Sequence, residues 1–124
     1  MTWQLILVAL FFAGIGVYAL AKPGSTLKIM QIDVTTTDGK NEIRAVYGGM
    51  CLAIAGVLFY APALGAARQG IYLAVVLLLA GMIFGRIFSF ALDQGMGKGP
   101  RLFLLLEAIS IALLMNHADF TSWS

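Results

Sequence analysis

Hydrophobic and polar positions fall in long blocks along this chain, without short alternations. Four blocks are apolar: Trp3–Ala21, Ile43–Leu64 with Pro62 close to its end, Ile71–Leu92, and Leu102–Ala118. Each has the length, roughly 17 to 25 residues, that a helix needs to cross a bilayer core. Each is apolar on every face, the pattern of a helix bathed in lipid and not of an amphipathic surface helix. The strands of a membrane β-barrel would alternate polar and apolar, and no such alternation runs through these blocks. The pattern predicts an all-α fold: a four-transmembrane-helix bundle, one integral-membrane domain over residues 1–124, with helices at about 3–21, 43–64, 71–92 and 102–118.

Between the blocks, only the first connection is long, KPGSTLKIMQIDVTTTDGKNE. Its middle, Leu27 to Val34, is apolar enough to rest on a membrane surface. It reads equally as a short interfacial helix or as an extended pair ending at Asp38-Gly39, and periodicity does not separate the two. The first block ends in Ala19-Leu20-Ala21, which has the small-x-small form of a signal-peptide cleavage site. The preceding MTWQ has no lysine or arginine, which a signal peptide normally carries, so the block is read as a retained helix.

Composition sharpens the membrane reading. The chain is 60% hydrophobic and 11% charged, whereas a soluble domain carries roughly 25% charged residues. A net charge of +2 excludes the basic footprint of a nucleic-acid binder. The single cysteine, Cys51, excludes an intramolecular disulfide, and the lone His117 excludes a histidine metal cluster within one chain. No cofactor is implied.

Lysine and arginine outside the spans set orientation. The first connection carries Lys22, Lys28 and Lys40, the third carries Lys98 and Arg101, and the second offers only Arg68. This asymmetry predicts a multi-pass protein with the first and third loops in the cytoplasm and both termini outside. Trp3, Tyr60, Tyr72 and Trp123 fit the outer interface as headgroup-level aromatic anchors.

The charges inside the spans share one depth. Arg86 lies six residues before Leu92, roughly 9 Å into the bilayer at 1.5 Å per residue. Glu107 lies five residues after Leu102, about 8 Å deep from the same side. A hairpin of the third and fourth spans puts them opposite each other. Arg44 opens the second span on that side, next to Glu42, and Asp93 ends the third. Steps of 100° align Arg86, Ser89 and Asp93 on one stripe, and Arg44, Gly48, Cys51 and Ala55 on another. Gly81 and Gly85 form a small-xxx-small pair, a close-packing signal. Tyr47, Ser89 and Ser110 are on hand for spare donors and acceptors. The other half of the bundle is nearly pure hydrocarbon. Intramembrane ionisable groups point to a functional site, although a buried ion pair also serves simply to fix helix register.

Three stretches, NEIRAVYGGMCLAIAG (Asn41–Gly56), GRIFSFALDQG (Gly85–Gly95) and LLLEAISIALL (Leu104–Leu114), resemble a family of small bacterial membrane proteins known as a domain of unknown function. The family's pattern is Glu-x-Arg-x-x-Tyr-Gly-Gly, then Gly-Arg-x-x-Ser, then a helix-4 glutamate. Here these are Glu42, Arg44, Tyr47, Gly48, Gly49, Gly85, Arg86, Ser89 and Glu107. The resemblance implies four helices, the polar cluster and a bacterial inner membrane. It implies no activity.

The polar cluster of Glu42, Arg44, Tyr47, Arg86, Ser89, Asp93 and Glu107 is therefore the candidate site. An apolar interior with polar groups at one end suits a non-enzymatic accessory subunit of a larger membrane complex, or a binder of a lipid-like amphiphile among membrane lipids. One alternative is an oligomeric transporter or channel, since four helices rarely enclose a pathway alone. The other is a membrane enzyme on a hydrophobic substrate, with Glu107 or Asp93 as acid or base. A glutamate already paired with arginine is a poor general base, and Cys51 reads as a small packing residue.

Overall fold

The four apolar blocks become four helices long and apolar enough to cross a membrane: α1 Trp3–Ala21, α2 Thr37–Leu64, α3 Ala67–Asp93 and α4 Lys98–His117. The computed structural model describes residues 2–117, and every regular element among them is helical. Ala118, the expected end of the fourth span, and Trp123, an expected interface anchor, lie outside the described residues.

Three of the helices begin before the apolar blocks do, because an apolar count sees only the hydrocarbon-crossing part. α2 gains six residues at its start. The Thr36 hydroxyl accepts the Gly39 N–H at 3.0 Å, and Asp38 sits in the first turn; both satisfy the positive, donor-rich end of a helix. Asp38-Gly39 thus opens a helix and does not close an extended pair. α4 begins at Lys98, with Pro100 in its first turn, where a missing N–H costs nothing. At the end of α2, Pro62 lies in a tight 3₁₀ turn, Ala61–Leu64. Gly65 then takes φ 61°, which favours a residue without Cβ.

The first connection resolves into a one-turn helix, Pro23–Thr26, and a 3₁₀ turn, Lys28–Met30. Leu27 packs with Ala19 and Ile43 in a small apolar cluster beside Tyr47, Met30 and Val34. Gly99, at the start of α4, lies so close to the 3₁₀ turn that a Cβ there would run into the Ile29 carbonyl. The loop is therefore tied to α1, α2 and α4 together.

α1 is the centre of the bundle, packed on α2 and on α4, while α3 packs on α4. The main core joins Leu5, Val8 and Phe12 to Cys51, Ala55 and Leu58, and to Tyr72, Val75 and Leu79. Lipid tails are as apolar as these side chains, so close packing, and not the hydrophobic effect, selects this arrangement. The tightest approach is between α1 and α2. A Cβ on Gly16 would stand 2.6 Å from Leu52 Cγ and 2.9 Å from the Gly48 carbonyl oxygen, and one on Gly48 would stand 2.7 Å from Leu20 Cδ2. Gly48 belongs to a π-helical stretch, Arg44–Met50, a wide-turned form found mostly as local bulges in α-helices, frequently at functional sites. The small-residue stripe of Gly48, Cys51 and Ala55 is buried as its spacing predicts. Gly81 and Gly85 are not part of a contact: nothing comes within 4 Å of a Cβ at either, because both lie on an exposed face of α3.

Gly16→Ala is expected to lower stability in detergent by about 1 to 3 kcal/mol, since backbone must move to admit the methyl. Gly14→Ala, with nothing within 4 Å, is expected to be neutral or slightly stabilising. Thermal unfolding followed by circular dichroism measures both.

Candidate functional site

α3 and α4 form the hairpin that the charge positions predict. Arg86 Nε donates to Glu107 Oε1 at 2.6 Å and, more weakly, to Oε2 at 3.4 Å. The Glu107 side chain is fully buried and that of Arg86 is 21% exposed. Phe103, one turn before Glu107 on α4, completes the clamp: the guanidinium carbon lies 5.7 Å from its ring centroid, within cation–π range. A charged side chain at the centre of a membrane helix costs about 3 kcal/mol on insertion scales. Mutual pairing offsets that cost for both residues. Ser110, on the next turn of α4, is also buried.

The pair lines a cleft of about 590 Å³, within the roughly 300 to 1,000 Å³ of small-molecule sites. α1 holds α2 on one side, α4 holds α3 on the other, and α2 meets α3 mainly at the Ala61–Leu64 turn. The space between them is lined by hydrocarbon such as Phe12, Ile54 and Leu79, with Tyr47, Thr26, Arg86 and Glu107 as its polar side chains and Cys51 as its thiol. Its rims on α2 and α3 face lipid: Met50 is 52% and Leu78 57% exposed. Leu27 and Met30 of the first connection cover the loop end.

Of the residues that depth brought together, the structure joins Arg86 to Glu107 and puts both with Tyr47 on the cleft. The others lie elsewhere. Arg44 is exposed, and its Nε donates to the Leu20 carbonyl at 3.2 Å, capping the open carbonyl end of α1. Glu42, Ser89 and Asp93 are exposed and do not line the cleft. Ser89 and Asp93 share a stripe with Arg86, but only a side chain as long as arginine reaches around α3 to α4.

The opposite end of the bundle is more polar than its sequence suggested. His117 Nδ1 and Thr2 Oγ1 are 2.6 Å apart, and His117 Nε2 lies 3.2 Å from the Tyr72 hydroxyl. The Tyr72 and His117 rings meet edge to face with centroids 5.0 Å apart. Tyr72 is thus no interface anchor; it is buried in the core. The depth comparison that pairs Arg86 with Glu107 would have found this tie, since Tyr72 and His117 sit at matching ends of the same hairpin. Trp3 and Tyr60, at 60% and 64% exposure, do present their rings to the surroundings.

Glu107→Ala is expected to cost about 3 to 5 kcal/mol, because it strands the arginine charge. Arg86→Met combined with Glu107→Leu is expected to recover most of that loss. Thermal melts in one detergent compare the three proteins.

Comparison with curated proteins and with solved structures found no match. Residues 1–117 match the family described as Domain of unknown function (DUF4345), and the chain belongs to that family.

Proposed function

We propose that this small multi-pass membrane protein is a non-enzymatic binder of a lipid-like amphiphile, working in a bacterial inner membrane. The observation that carries the reading is the cleft between α2 and α3, lined mostly by hydrocarbon, with the Arg86–Glu107 pair set into its wall. An acyl or prenyl tail lies along Phe12, Ile54 and Leu79. The polar head meets Arg86 and Tyr47. Because the lining residues Met50 and Leu78 are half exposed to lipid, a tail reaches the cleft sideways from the bilayer without crossing water. A paired carboxylate and the lack of any histidine on the cleft among the described residues favour binding over chemistry.

Lipids extracted from purified wild type are expected to contain a retained amphiphile. Ile54→Trp, which fills the cleft, and Arg86→Ala, which removes its donor, are expected to lose it. Identical lipid profiles by mass spectrometry in folded variants would sink the reading.

The basic residues Lys22, Lys28, Lys40, Lys98 and Arg101 support placing the first and third loops, and with them the polar end of the cleft, in the cytoplasm. Thr35→Cys in a Cys51→Ser background is expected to resist an impermeant maleimide in intact spheroplasts and to react in inverted vesicles.

A further inference from the structure

Resting on the amphiphile reading, we infer that the head is uncharged and carries a carbonyl-type acceptor, such as an ester, and is not an acidic group. Arginine has donors only. Arg86 lines the cleft, and among the described residues its hydrogen bonds run from Nε alone, to Glu107, so its two terminal amino groups keep their donors for a further partner. Donors left unmatched in a water-poor, hydrocarbon-lined space are costly. The head that satisfies them must accept hydrogen bonds, which excludes a purely hydrocarbon end and an ammonium.

Charge then separates the acceptors. The side chains on the cleft with a titratable group are Tyr47, Cys51, Arg86 and Glu107, and arginine and glutamate cancel. The remaining basic groups at this end, Lys22, Lys28, Lys40, Arg44, Lys98 and Arg101, do not line the cleft, and all but the half-buried Lys40 are exposed. Arg44 in addition is turned to the Leu20 carbonyl. A carboxylate or phosphate head would add a third, uncompensated charge beside Glu107, or pull Arg86 away and leave a fully buried carboxylate alone. Either outcome is strongly unfavourable at low dielectric. An ester or amide carbonyl takes the free donors at no such cost, and the hydroxyls of Tyr47 and Thr26 at the same end of the cleft suit further polar groups on the head.

Methyl oleate and oleate share a chain and differ at the head by one charge, so they test the inference directly. Displacement of radiolabelled methyl oleate from the purified full chain at neutral pH is expected to need about tenfold more oleate than unlabelled methyl oleate. In Glu107→Gln the arginine charge is no longer cancelled, and oleate is expected to become the better competitor. Oleate competing as well as or better than methyl oleate in wild type would overturn the uncharged head while leaving the amphiphile reading intact. Methyl oleate binding wild type no better than it binds Ile54→Trp would overturn both. If Glu107→Gln does not fold, the wild-type ratio decides alone.

Discussion

A charge placed two turns inside a membrane helix has to find a partner before anything else in the bundle is settled. Arg86 finds Glu107 on the neighbouring helix at 2.6 Å, and each removes most of the penalty of the other. The pair fixes the register of α3 against α4. It brings Phe103 under the guanidinium, and it sets the polar end of the cleft. A partner at another depth would slide the hairpin and close or relocate that space. The pair serves positioning as much as stability, since apolar residues of similar volume would pack there equally well.

The second constraint is how closely α1 and α2 approach. With no water to squeeze out, membrane helices gain from contact only by fitting closely. Gly16 and Gly48 let the two backbones meet to the point where neither tolerates a methyl. α2 is held by α1, α3 by α4, and the two held pairs leave a gap between α2 and α3. The cleft is thus what remains when two close contacts are each satisfied. Gly99 and Leu27 draw the first connection across the loop end, and the Thr2–His117–Tyr72 tie joins α1, α3 and α4 at the other.

Much of this was legible along the chain, for identifiable reasons. Hydrocarbon thickness is a fixed length, so four apolar blocks announce four helices. Rise per residue is fixed too, so the matched depths of Arg86 and Glu107 foretell their contact. The small stripe of Gly48, Cys51 and Ala55 announces a close neighbour. Other positions misled because a stripe shows which residues share a face but not whether another helix lies against it. Gly81 and Gly85 have the same spacing logic as a packing pair and meet nothing. Arg44 shares the membrane side of Arg86 but answers a nearer need, the open carbonyls of α1. Tyr72 is the residue type of an interface anchor, yet the contact of its hydroxyl with His117 Nε2 ties it inside the bundle.

By itself, then, the sequence determined the solvent, the number of spans and the depth of each charge, because these follow from bilayer thickness and helix rise, which are the same for every chain. Beyond the α3–α4 hairpin, tertiary structure alone decided which helices are neighbours. In a lipid solvent every apolar face is equally content with lipid or protein, and only the shape of the contacting surfaces distinguishes one arrangement from another. That choice put α1 in the middle, kept α2 and α3 apart, and set a pair of matched charges into the wall of a cleft.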